Sequence, residues 1–396
     1  MTPYPSTPME HDMLISALRR TTALTLLAGS TLLLAACGAG TIDASTATRD
    51  SSEGTGEVTP TPVTGTVWVA NEEEGSLTAI DAATSTVLAT VDGIPSPHNV
   101  QASPDGRTVW AVSGHNNAVA AIDAQSLELL RTAATGASPA HVVLSPEGDW
   151  VYVTNSGVDT LARYDTATLT PSGTLDLSSG PHGLRPSADG SVIVVAGMTA
   201  GAIDVVDPRT MTRTASIPVG SSPVQVAVAP DGATAYVSLA GSSSVAKVDL
   251  ARQEVVRTVT VPAPPVQLYL STDGSRLLSA DQGTPDAPGD SVSVIDPASM
   301  TVTATITTGS GPHGVVIEPS GRVAWVTNLY DDTVSVIDLT TNTTTATIPV
   351  GDMPNGISFT PAVATPRETA DALDIPDYAA AADETDSAHA HGGHDD

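Results

Sequence analysis

Three Pro-His pairs, Pro97-His98, Pro181-His182 and Pro312-His313, are the most chemically suggestive feature of this sequence, and His141 stands near a proline in a matching segment. Neutral imidazole is the commonest metal-ligating side chain. With a single cysteine in the chain, convergent histidines suit Zn or Cu held through nitrogen. His115, between two apolar runs, could join them. The C-terminal His389, His391 and His394 are spaced to hold a transition metal weakly. Asp281, Asp286 and Asp290, in a Gly- and Pro-containing stretch, offer carboxylates of the kind that bind calcium. The sequence contains no nucleophile-elbow serine motif and no Gly-rich phosphate loop between a strand and a helix. One cysteine can form neither a disulfide within the chain nor a CxxCH haem motif.

A repeat must position these residues. From Gly311 to Gly351 run four apolar segments, His313 to Ile317, Val323 to Thr327, Thr333 to Ile337 and Thr344 to Val350, separated by turn residues. They are rich in Val, Ile and Thr, which suits pleated, packed strands. The unit therefore predicts four antiparallel strands, A to D. The centre of strand B recurs at Trp68, Trp110, Tyr152, Val194, Tyr236, Leu278 and Trp325, in steps of 42 and a last step of 47. The aspartate ending strand C recurs at Asp81, Asp123, Asp165, Asp207, Asp249, Asp296 and Asp338, with the same insertion between Leu278 and Asp296. A four-stranded repeat of roughly 40–45 residues predicts a β-propeller. The expectation is an all-β, seven-bladed ring over residues 63–362. The first unit lacks a strand A, and Pro354 to Thr360 is an orphan strand A, so N- and C-terminal strands should share one blade. The strand-C aspartates should bond backbone N–H groups in the C–D turns, and the aromatic B positions should be core.

Strand A is innermost, so its start lies at one mouth of the central channel. The residue after the proline reads His98, Ala140, His182, Val224, Val266, His313 and Asn355. His98, His141, His182, His313 and Asn355 should ring that mouth. The B–C loops share the face and bring His115, Asn71, Asn155 and Asn328. A plainer expectation competes: Pro-His-Gly is a repeat-level turn whose imidazole bonds a neighbouring blade, and blades two apart set their imidazoles beyond ligand range.

Tyr152-Val153-Thr154-Asn155, echoed by Trp325-Val326-Thr327-Asn328 and Trp68-Val69-Ala70-Asn71, resembles the YVTN-repeat (YncE-like) β-propeller family, as do the Pro-x-Gly-Val and Ser-Pro-Asp-Gly flanks. The resemblance implies the propeller fold and an extracytoplasmic or surface setting. It carries no catalytic residue across, since fold does not imply function.

The flanks fit that setting. Residues 1–36 read as a lipoprotein signal peptide: Arg19-Arg20, an apolar run, then Leu34-Ala35-Ala36-Cys37 resembling a lipobox with Cys37 as the lipidated residue. Residues 37–62 read as a disordered tether, and residues 363–396 as a disordered acidic tail ending in histidines. The expected place is therefore the extracytoplasmic face of a membrane, periplasm or cell surface, with the lipid as the only membrane contact. A net charge of −29 with one lysine, Lys247, argues against nucleic acid. The chain is expected to be a monomeric, non-catalytic scaffold that presents a loop face to a protein or small ligand. Two other functions fit the residues: a Zn- or Cu-binding or delivery lipoprotein, and a calcium-dependent channel-mouth hydrolase using Asn71, Asn155 and Asn328.

Overall fold

Alternating Val, Ile and Thr between tight turns build seven four-stranded antiparallel sheets, set as blades of one ring. The computed structural model describes residues 63–366 and 371–380. Blade 6 shows the plan: Pro312–Ile317, Val323–Asn328, Thr333–Asp338 and Thr343–Pro349, from the axis outward. Burial follows that order. The inner strand Pro312–Ile317 is buried throughout, whereas most of Thr343–Pro349 is exposed and threonine-rich. The A–B hairpins turn on glycines such as Gly106, at φ 69°, a left-handed conformation that a side chain would strain.

Packing between blades supplies the core. Trp68, Trp110, Tyr152, Tyr236 and Trp325, one per repeat at the strand-B centre, are all buried. Each strand-C aspartate accepts a backbone N–H in its C–D turn, from Asp81 with Ala83 to Asp338 with Thr340, as expected from the repeat.

The ring closes by sharing a blade between the two ends of the repeat region. Pro354–Thr360 pairs antiparallel with Thr66–Asn71, followed outward by Ser76–Asp81 and Thr86–Asp92. We number this blade 7. Phe359, on the closing strand, stacks on Trp325 of blade 6 with centroids 5.6 Å apart.

Two expectations about irregular segments need correction. Residues 371–380 do not lie free as tail: Leu373 N–H bonds Asp92 O, Tyr378 N–H bonds Asn116 O, and Ile375 is buried with Ala364 in the core between blades 7 and 1. Their apolar side chains outweigh the acidity around them. The insertion is likewise not a loose calcium-binding loop. It lengthens two paired strands, Leu277–Thr284 and Ala287–Asp296, leaving Asp286 and Asp290 exposed while Asp281 is buried. The signal peptide, Cys37, the tether and the histidines of the tail lie outside the described residues.

Asp281 accepts hydrogen bonds from Ser279 Oγ at 2.8 Å and Ser293 Oγ at 2.6 Å. Burial pushes its carboxyl up to about 7, against the pull of those two serines. The folded protein holds the proton from about pH 4 to 7 while the unfolded chain has released it, so this group's stabilisation falls as pH rises through that window. Asn71 and Asn328 occupy the same register and are neutral. Asp281→Asn should therefore raise Tm more at pH 8 than at pH 5, with a gain of roughly 2–4 kcal/mol at pH 8; equal shifts at both pH values would contradict the assignment.

Candidate metal centre

A bulge aims the histidines. In blades 2, 3 and 6 the pairing between strands A and B slips by an irregularity between Pro139 and Val142, Pro181 and Leu184, and Pro312 and Val315. Such an irregularity re-aims side chains at a sheet edge. The residues in the gap, His141, His182 and His313, turn toward the channel. A strand-B hydroxyl fastens it: Thr154 Oγ accepts from His141 N–H at 3.1 Å and donates to the His182 carbonyl of the next blade at 2.7 Å. Thr327 does the same between Gly314 N–H and the Asn355 carbonyl. Gly183 leaves the room that the Gln225 side chain fills; a Cβ there would collide with it.

Three imidazoles converge. His98 Nε2 lies 3.2 Å from His182 Nε2, and the available ring nitrogens of His98, His141 and His182 all lie within 4.8 Å of one another. The rings of His141 and His182 meet edge-on at 4.8 Å, and those of His98 and His141 at 5.6 Å. Blades two apart thus reach each other across the axis, against the expectation that they would not. His313 flanks the trio, its ring 6.3 Å from that of His98.

Partners set the tautomers. His182 Nδ1–H donates to the Val224 carbonyl at 3.1 Å, and His313 Nδ1–H to Gln282 Oε1 at 2.6 Å. The bond to the neighbouring blade foreseen for Pro-His-Gly is therefore present in His182, and it leaves Nε2 as the free lone pair. His98 Nδ1 faces the Glu72 carboxylate at 3.3 Å, and Asn355 Nδ2 donates to the same carboxylate at 2.6 Å. His313 Nε2 and both nitrogens of His141 are buried with no hydrogen-bond partner among the described residues. Orphaned buried nitrogens are costly.

The electrostatics divide the four rings. Burial, reinforced by the charge His98 can carry, holds His182 and His313 near 3, and burial with His182 and His98 nearby holds His141 well below the ordinary value. These three are neutral donors. For His98, burial also opposes charge, but Glu72 overcomes it and raises the imidazole above its ordinary value. Burial would raise Glu72, yet His98 and Asn355 bring it down to about 2. Glu72 is the residue that sequence reasoning missed. It follows Asn71 in the blade 7 turn Glu72-Glu73-Glu74, and the packing of blade 1 on blade 7 sets it beside His98, 26 residues along the chain.

Other expected members do not join. His115 is exposed on its turn, outside the cluster. Asn71, Asn155 and Asn328 do not face a ligand: they are buried, and their amides bond within their own blade, Asn71 to Ser76 and Thr78, Asn155 to Thr160, Asn328 to Thr333 and Ser335. The hydrolase reading loses its asparagines on that ground. Asn355 does belong to the site.

Residues 40–282 match a family described as YNCE-like beta-propeller. The chain belongs to the YNCE-like beta-propeller family. No curated protein matches it. Among solved structures, this YNCE-like propeller is similar to the hydrazine synthase of Kuenenia stuttgartiensis, at 22% identity and TM-score 0.60 over 68% of this chain and 90% of that one. It is also similar to a functionally unknown protein from Desulfotomaculum acetoxidans, at 14% identity and TM-score 0.64 over 77% and 100% of the two chains. A third is the dihydro-heme d1 dehydrogenase NirN, at 17% identity and TM-score 0.58 over 75% of each chain. At these identities the YNCE-like chain shares their fold.

Because His182 and His313 stay neutral down to about 3 when folded but take protons near 6.5 when unfolded, their stabilisation is complete above pH 6.5 and is lost as pH falls below it. Each should cost at most about 2 kcal/mol by pH 5. Asparagine is the blade 7 residue at this position, so a His182→Asn/His313→Asn variant should unfold at a temperature that changes less between pH 7 and pH 5 than the parent's. An unchanged slope would show that these rings are solvated.

Proposed function

We propose that this YNCE-like propeller binds a transition-metal cation of the Zn or Cu class through His98, His141 and His182. The observation that carries the reading is the 3.2 Å separation of His98 Nε2 and His182 Nε2, with His141 closing the triangle. Two imidazoles at about 2.0–2.1 Å from a tetrahedral zinc stand about 3.3–3.4 Å apart. Two lone pairs facing at that distance repel unless a proton or a metal lies between them. Glu72 supplies the carboxylate behind a ligating histidine that raises its basicity and fixes its ring. Three imidazoles leave one position of a tetrahedron for water or for His313. In the apo protein His98 carries the proton that satisfies the cluster, and metal replaces it.

The wider function follows from that site. A propeller exported and lipid-anchored at Cys37 would hold this mouth outside the cytoplasm, with Glu72, Glu73 and Glu74 raising the local cation concentration. His389, His391 and His394 would act as a weak accessory ligand set that captures metal and passes it on.

Calorimetric titration of Zn and Cu into the full chain carrying His389→Ala, His391→Ala and His394→Ala tests the reading. One metal should bind per chain. At pH 6.5, buffers of different ionisation enthalpy should report release of up to one proton per metal, from His98. His141→Ala should weaken binding at least about 100-fold, Glu72→Gln about 10-fold, and His115→Ala not at all. Undiminished affinity in His141→Ala would sink the proposal.

A further inference from the structure

Beyond the metal centre, at the opposite mouth on the side of the A–B hairpins, all seven inner strands enclose a cavity of about 390 Å³. Its floor lies three residues, roughly 10 Å, along strand A from the histidine positions. The polar side chains there include Gln101, Arg185, Tyr269 and Ser358, and Val143 and Val316 are among the apolar walls. Among the described residues no aspartate or glutamate lines it, although the chain holds 44 acids against 15 Lys and Arg.

Arg185 has only one hydrogen bond among the described residues, Nη1 to the carbonyl of its neighbour Leu184 at 3.0 Å, and no carboxylate partner. Enclosed charged side chains are seldom left without a partner of opposite charge. An unpaired guanidinium in a channel wall is expensive. Ser358 Oγ accepts from Ala102 N–H at 2.9 Å and Gln101 Nε2 at 3.3 Å, so its own hydrogen is left to donate. The Tyr269 hydroxyl has no hydrogen-bond partner among the described residues. Donors with no carboxylate therefore gather here, the reverse of the metal mouth, where His313 Nε2 and both nitrogens of His141 lack partners among the described residues.

We propose that this mouth binds a small organic carboxylate, its two oxygens on the Arg185 guanidinium and on the Tyr269 or Ser358 hydroxyl, its apolar body against Val143 and Val316. A guanidinium matches a carboxylate in a planar, two-point contact. A single cation with apolar walls and no cluster of backbone N–H groups fits a monoanion better than inorganic phosphate. The volume is within the range of small-molecule sites, about 300–1,000 Å³.

The test uses the full chain at low ionic strength with EDTA present, so that metal plays no part. Benzoate and butyrate are titrated separately and compared with inorganic phosphate, with binding read by calorimetry. One carboxylate should bind saturably per chain, more tightly than phosphate. Arg185→Met should weaken it at least tenfold while unfolding, without ligand, at the same temperature as the parent or above it, since the variant removes an uncompensated buried charge. The proposal is overturned if neither carboxylate saturates the parent at millimolar concentration, if phosphate binds more tightly, or if Arg185→Met binds equally well. The parent titration decides the matter even if the variant fails to fold.

Discussion

The pairing of Pro354–Thr360 with Thr66–Asn71 is the interaction on which the rest of the molecule depends. Each blade has two apolar faces and can bury both only inside a closed ring. The closing strand also carries Asn355, and the strand it joins runs into Glu72, so a hydrogen bond across 283 positions of sequence is made by the same event. That bond presents the carboxylate to His98. Closure thus fixes Glu72 and Asn355 behind His98, while His98, His141 and His182 themselves come from the consecutive blades 1, 2 and 3.

Closure also gives the channel two unlike ends. At one, burial keeps His141, His182 and His313 neutral, and His313 Nε2 and both nitrogens of His141 lack partners among the described residues. At the other, Arg185, Tyr269 and Ser358 offer hydrogens without a carboxylate. Seven copies of one strand build both ends, and the difference comes from a few positions in the repeat that vary freely. Where some blades place Ala, Val or Gly, others place His, Gln or Arg. The scaffold is held by positions that keep one role in every blade, the buried strand-B centres and the strand-C aspartates, so the axial positions are released for chemistry.

The repeat made the ring legible in the sequence, because a 42-residue period with one insertion leaves little choice of architecture. The layer of histidines was legible for the same reason: equal positions in a ring lie at equal height. Their contact was not, because the distance between imidazoles across the channel is set by the packing of the blades and not by the repeat spacing. Glu72 was hidden because nothing in its turn shows that its side chain meets the start of strand A in the next blade. The asparagines ending strand B were misread because their backbone lies on the ligand face while their amides turn into the blade. The hydroxyls that hold them, Ser76 and Thr78 or Thr333 and Ser335, were on the page, and so was Asp281 between Ser279 and Ser293 in the same register. The packed residues Leu373, Ile375 and Tyr378 were obscured by the acids among them.

X-ray absorption at the zinc edge is the most direct test of the central claim, that the inner strands of blades 1, 2 and 3 bring together a three-imidazole metal site. The sample is the full chain with His389, His391 and His394 replaced by alanine, loaded with one equivalent of zinc. The account predicts a four-coordinate ion with three imidazole nitrogens at about 2.0–2.1 Å and the outer-shell scattering of imidazole rings. A six-coordinate shell of oxygen alone, as for zinc held loosely by surface carboxylates and water, would contradict it.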